Sequence, residues 1–291
     1  MTRRAATFTG FIAILLWALL ALFTIGTAPV PPFQLNAMSF AVGGAIGLVW
    51  VSRTGGWRRL SLVPTRVYIV GTLGLFGYHA LYFSALRLAP PAEASLIAYL
   101  WPLFIVLFSG LLPGERLGAL HIIGALIAFT GAAILVAPQG GQFTGGAGLA
   151  LAGLCALTWS SYSVLSRSFG TVPTDSVAVF CVLTAILSVP PHLLLEQTQW
   201  PTDALGWGAV LALGLGPVGL AFYVWDIGVK AGDIQLLGVA SYAAPLLSTL
   251  ILVVVGVAEA SITLLLAAAL IAGGAGLAAY GSARAQRRAQ R

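Results

Sequence analysis

Tyr78, His79 and Tyr82 place two phenols and an imidazole within five residues of a long apolar stretch. On a helix, at about 100° per residue, Tyr78 and Tyr82 are ~40° apart and His79 is ~60° from Tyr82, so all three can share one face. Polar-tipped groups so deep in an apolar run face a bundle interior or water, not lipid tails. Ser95 and Tyr99 share a face of the next run, and Gly238 and Tyr242 share one near the far end of the chain. Together these residues read as a cavity with aromatic walls and a few hydroxyls, suited to an amphiphilic small molecule. Trp17 and Trp159 sit mid-run and favour a central position beside them. Trp101 is ~160° from Tyr99 on a straight helix, a conflict that a kink at Pro102 softens. Phe222 and Tyr223 fall in the eighth run, where they correspond to His79 and Ala80 of the third. The competing reading is an interfacial aromatic belt, which suits Trp57, Trp200, Trp207 and Tyr280 at run ends.

The matched prolines Pro102 and Pro245 add a second kind of group. A proline inside a helix frees the carbonyl four residues earlier, here those of Ala98 and Ser241. A free acceptor at membrane depth is tolerated only where protein or a watery cavity satisfies it, so both prolines read as kinks lining a path, with carbonyls open to a substrate ammonium. The alternative is a packing kink.

The remaining chemistry is sparse. Glu93, Glu115, Asp175, Glu196, Asp203, Asp233 and Glu259 all fall at run ends, and Asp226 has Lys230 at i+4, the spacing of an interfacial ion pair. His79 is then the deep titratable group, and a carrier without a midplane carboxylate reads as facilitative or weakly proton-coupled. His121 and His192 stand alone near helix ends. No paired Asp lies within the runs, and no His-Glu metal spacing, Gly-x-Ser-x-Gly or phosphate-binding Gly-x4-Gly-Lys motif occurs. The expectation is no catalytic residue, no metal and no cofactor, which argues against an embedded enzyme. A channel or lipid-handling protein with an aromatic path stays open on these residues.

The elements that must position these groups follow from composition. Of 291 residues, 59% are hydrophobic and 8% charged, with a mean hydropathy of +0.98. A soluble chain carries roughly 25% charged residues, so a soluble enzyme, a disordered tail and a nucleic-acid partner are all disfavoured. The pI of about 9.7 reflects cations at the ends of apolar runs rather than a basic face. Cys155 and Cys181 lie within apolar stretches and make no disulfide framework.

Ten runs approach the ~20 residues that a bilayer requires. They cover roughly 8–25, 33–51, 67–86, 92–112, 118–137, 147–166, 175–195, 205–228, 234–255 and 261–281. Breaks fall at Pro29 to Pro32, Pro90-Pro91, Pro113-Gly114, Pro138 to Gly146 and Trp200-Pro201. Continuous runs exclude a barrel of alternating strands. The first run, after Arg3-Arg4, is long enough to be a span rather than a cleaved signal.

With a cytoplasmic N-terminus, 13 of the 14 Lys and Arg lie on the cytoplasmic side and Arg87 alone lies outside. The halves also resemble each other. Tyr99, Pro102, Arg87 and Gly131 meet Tyr242, Pro245, Lys230 and Gly274 at an offset of 143, Trp17 meets Trp159 at 142, and Glu115 meets Glu259 at 144. Five helices per half is an odd number, so the second half is inverted, which is a transporter device. The expected fold is therefore an all-α integral membrane protein of ten transmembrane helices, two inverted five-helix repeats (1–140 and 141–291) around a central cavity. The partners are the lipid bilayer and a small-molecule substrate. Gly43-Gly44 and Gly47 permit close helix packing either within the chain or between chains, which leaves the oligomeric state open.

Pro102, Leu112-Pro113-Gly114-Glu115, Gly124 and Gly131 resemble the repeat unit of the drug/metabolite transporter superfamily, EamA type. Pro245, Gly256-Val257-Ala258-Glu259 and Gly273-Gly274 resemble a looser second copy. The resemblance implies export across a bacterial inner membrane by alternating access, through a cavity between the repeats. Aromatic and other neutral amino acids suit such a cavity, and drugs or other metabolites are the alternative cargo.

Overall fold

The computed structural model describes residues 1–136, 145–257 and 259–289. The expected break from Pro138, the repeat boundary at 140/141, Ala258 and Arg291 lie outside them. Ten apolar helices form: α1 (Arg3–Gly26), α2 (Pro32–Arg53), α3 (Thr65–Leu88), α4 (Pro91–Ser109), α5 (Ala119–Val136), α6 (Gly146–Ser168), α7 (Ser176–Leu195), α8 (Ala204–Ala231), α9 (Ile234–Val254) and α10 (Ile262–Ala289). Nine are long and apolar enough to cross a membrane among the described residues, and α5 is shorter.

Their ends are built from turn chemistry. The Thr2 hydroxyl accepts the Ala5 N–H, Asp203 accepts the Gly206 N–H, and Asp233 accepts the Leu236 N–H, each satisfying an orphan donor of a first turn. Pro32 and Pro91 open α2 and α4, where a missing N–H costs nothing. Burial is inverted relative to a soluble protein. Phe8, Leu73, Leu193 and Leu265 face outward, whereas Gln34, Asn36, Ser160 and Ser163 are buried. Lipid as solvent accounts for this pattern, and within the bundle Asn36 Nδ2 donates to Ser188 Oγ at 2.7 Å across α2 and α7. Trp57, Trp200, Trp207 and Tyr280 are exposed at helix ends, as a belt requires.

Packing follows a pseudo-twofold axis. The repeat maps α1–α5 onto α6–α10, and the main packed pairs obey it: α2 lies on α7, α5 on α10, and α3 on α6 in the manner of α8 on α1. At the α5–α10 crossing, a Cβ on either Gly124 or Gly274 would strike the other's carbonyl oxygen, and Gly131 lies against the Ala267 carbonyl. The offset of 143 turns the first contact into the second, so the axis runs through this crossing. Likewise Gly10 against Gly228 corresponds to the buried alanines Ala152 and Ala85.

Among the described residues, four helices are interrupted near mid-span. α1 breaks at Leu19, α4 at Tyr99-Leu100, α9 at Ser241-Tyr242, and α8 carries a π segment at Gly216–Leu220. The expected kinks at Pro102 and Pro245 are thus breaks just before the prolines, which stand in the first turn of each second half-helix. The carbonyl of Ser241 is not free, because the Ala244 N–H donates to it at 3.0 Å.

Charge is buried more than expected. The acids do lie near helix ends, yet Glu93, Asp226 and Asp233 are buried within the bundle. Asp226 and Lys230 pair at 2.8 Å inside the protein rather than at an interface. His121 and His192 do not stand alone: His121 reaches Ser282 at 3.1 Å, and His192 reaches Glu196 at 3.0 Å and Thr198 at 2.9 Å.

Candidate functional site

The interruptions surround a central cavity of about 160 Å³. Its lining comes from both repeats: Trp17, Leu20 and Ala21 of α1, Tyr78 and His79 of α3, Tyr99 and Trp101 of α4, Trp159 of α6, Pro217, Val218 and Phe222 of α8, and Ala244 and Ser248 of α9. Among the described residues, no charged side chain lines it. The lining on α1 and α9 extends from mid-span toward the end opposite the two chain termini.

Seven of the expected wall residues therefore meet: Trp17, Tyr78, His79, Tyr99, Trp101, Trp159 and Phe222. The break at Tyr99-Leu100 removes the angular conflict between Tyr99 and Trp101, because they no longer share one straight helix. The π segment of α8 leaves the Pro217 carbonyl to accept the Trp17 indole N–H at 3.1 Å, so irregular backbone at membrane depth is satisfied from the cavity wall.

The termini-side floor is aromatic. The Trp17 ring lies 5.8 Å from Trp159, 6.0 Å from Trp101 and 5.0 Å from Trp225, centroid to centroid. Edge-on and tilted geometry of this kind suits aromatic quadrupoles. Phe40 stacks on Phe222 at 5.4 Å and meets His79 edge-on at 5.0 Å. The His79 Nδ1 is 2.7 Å from the Leu75 carbonyl, which orients the ring.

The other expected residues serve elsewhere. Tyr82 stacks behind Tyr78 and bonds Ser95 at 2.9 Å, so both stand one layer outside the lining. The Tyr223 hydroxyl donates to the Gly43 carbonyl at 3.0 Å and ties α8 to α2. Gly238 packs its bare Cα face against Ile105, Val106 and the Pro102 carbonyl. Tyr242 is fully buried, and its hydroxyl accepts the Leu103 N–H at 3.1 Å, capping the second half of α4. Gly238 and Tyr242 leave the wall because breaks in α4 and α9 demand close packing and a cap there. Trp225 and Phe40 belong to the same aromatic floor without being among the expected wall residues. Trp225 stands 143 residues after Tyr82 and was legible from that offset, whereas nothing in the sequence marks Phe40.

Ion pairs close the termini side. Arg167 pairs with Glu115 of the other repeat, and its Nη1 donates to the carbonyls of Val229 at 2.8 Å and Gly232 at 2.9 Å. Arg3 reaches Glu115 at 3.3 Å and Asp233 at 3.6 Å. On the opposite side Glu196 accepts the Phe33 N–H at 2.9 Å and Arg87 at 3.0 Å, pinning α7 to the starts of α2 and the end of α3. No group of three His, Cys, Asp or Glu able to hold a metal occurs among the described residues.

Comparison with known proteins bears on this geometry. The model of the EamA-like transporter family matches residues 4–137 and again 146–280. The chain is 54% identical over 282 residues to the aromatic amino acid exporter YddG of Ancylobacter novellus, covering 96% of this chain and 98% of that one. It is 24% identical to the Escherichia coli protein of the same name, covering 94% and 96%. A pseudopaline exporter, CntI, of Pseudomonas aeruginosa is 26% identical, covering 67% and 68%. A solved crystal structure superposes with a TM-score of 0.92 at 53% identity, covering 97% of this chain and 99% of that one.

Proposed function

The chain belongs to the EamA-like transporter family and is a membrane transporter rather than an enzyme, and from that premise we propose that it exports aromatic amino acids by alternating access. The observation that carries this reading is the uncharged cavity walled by Trp17, Trp101, Trp159, Tyr78 and Tyr99 between the two repeats. Aromatic rings offer matching surface to an aromatic side chain, and the hydroxyls and indole N–H groups offer hydrogen bonds to its polar end. Other neutral amino acids of similar shape are accepted less well.

The membrane is the bacterial inner membrane. Both termini face the cytoplasm, which agrees with the Lys and Arg distribution. The cavity then opens outward, as for a protein that has just released its cargo, and the Glu115–Arg167 pair is the closed cytoplasmic latch. The two five-helix repeats, 1–140 and 141–291, are the halves that exchange conformations. With no carboxylate on the lining among the described residues, the driving force is the substrate gradient itself.

The test is flux of labelled tryptophan, phenylalanine and tyrosine in vesicles holding the purified chain. Saturable flux that competing aromatic amino acids inhibit is expected. Non-saturable leakage that rises linearly with concentration would overturn the reading.

A further inference from the structure

A second cavity lies between α3, α6, α7 and α8 on the termini side, walled by Val67, Val70, Gly71, Tyr162, Ser166, Phe169, Phe180, Asp226 and Lys230. It has room for about one water. Asp226 is 1% exposed; its Oδ2 accepts Thr174 Oγ1 at 2.7 Å and Lys230 Nζ at 2.8 Å, and its Oδ1 has no partner among the described residues. A buried carboxylate oxygen without a donor is costly in the bundle, and it stands beside an ammonium whose other bond is to the Val172 carbonyl at 3.0 Å.

The repeat gives this cavity a place in the transport cycle. Leu20 and Ala21 line the open mouth of the central cavity, and an offset of 142 carries them to Tyr162 and Ser163. Tyr162 now lies against Gly74, so tightly that a Cβ on Gly74 would run into the ring. The small cavity is therefore next to the collapsed counterpart of the open mouth. When the halves exchange shapes, the Tyr162 side parts and the Asp226–Lys230 pair meets the solution on the termini side.

We propose that Asp226 and Lys230 form a loading station that recognises the ammonium and carboxylate of an α-amino acid zwitterion before it reaches the uncharged central cavity. The substrate ammonium takes the free Asp226 Oδ1, its carboxylate takes Lys230 Nζ, and its ring lies along Tyr162, Phe169 and Phe180. This division of labour separates head-group recognition from side-chain recognition. It rests on the proposed transport of aromatic amino acids.

The experiment compares tryptophan with tryptophan amide, which lacks the carboxylate, and indole-3-propionate, which lacks the ammonium, in vesicles. The double variant Asp226→Asn/Lys230→Met removes both charges without leaving one orphaned in the bundle. We expect its kcat/KM for tryptophan to fall about a hundredfold, the size of two lost charge-assisted hydrogen bonds, and those for the two analogues, each of which makes one of the two contacts, to fall about tenfold. A fall of the same size for all three, or no change for tryptophan, would overturn the proposal. Wild-type protein that carries none of them would instead overturn the transport reading. A second arm leaves the pair intact: a thiol reagent applied from the termini side to Ser166→Cys should be blocked by tryptophan at about tenfold lower concentration than by its amide. Equal protection by the two overturns the proposal even if the double variant does not fold.

Discussion

Trp17 and Trp159, equivalent residues of the two repeats, face each other across the pseudo-twofold axis with ring centroids 5.8 Å apart. Each belongs to a helix that starts on the opposite side of the bundle from the other's. Their meeting places the axis through the cavity floor, so a motion that exchanges the repeats pivots where the substrate would sit.

Tyr99 and Tyr242 are also equivalent, but one faces the cavity and the other caps a half-helix. Tyr242→Phe leaves the Leu103 N–H unsatisfied and should lower stability by about 1–3 kcal/mol, read as a lower melting temperature. Tyr99→Phe should leave melting unchanged and alter the KM for tyrosine or tryptophan. The opposite pattern would show that the two roles are reversed.

The α5–α10 crossing depends on bare backbone at Gly124 and Gly274. Gly274→Val forces the two helices apart and should cost about 1–3 kcal/mol, with loss of monodisperse protein on size exclusion. Gly273→Val, where an added Cβ meets nothing within 4 Å, is the neutral control.

Glu115→Gln weakens the pair with Arg167 and Arg3 while keeping the side chain's shape. It should shift the population toward the state open on the termini side. Thiol labelling at Ser163→Cys from that side should then accelerate several-fold relative to the same cysteine in an otherwise wild-type chain. Unchanged labelling would remove Glu115 from the latch.

Facilitated transport makes a further expectation about protons. A pH gradient imposed on vesicles with equal tryptophan inside and outside should produce no net accumulation. Uphill accumulation that His79→Ala abolishes would assign proton coupling to that imidazole.

The ten spans were legible because Pro and Gly interrupt apolar runs and because the cations sit at run ends. Facing was less so. These helices are apolar nearly all round, so no amphipathic stripe shows which side is inward, and aromatic or hydroxyl residues had to stand in for it. Trp101 illustrates the limit: its angle to Tyr99 is meaningful only on a straight helix, and α4 breaks between them. Tyr242 shows a second limit. Repeat equivalence in sequence does not guarantee an equivalent environment when one half of the cycle is open and the other closed. Asp226 shows a third, since its i+4 spacing to Lys230 revealed the pair but not its burial.

The most direct test of the carrier reading is tryptophan counterflow. Vesicles preloaded with unlabelled tryptophan and diluted into labelled tryptophan should show a transient overshoot of label, and Trp101→Ala should abolish the overshoot while the protein stays monodisperse. A monotonic rise to equilibrium in the wild-type protein, with no overshoot at any preload, would contradict alternating access through this cavity.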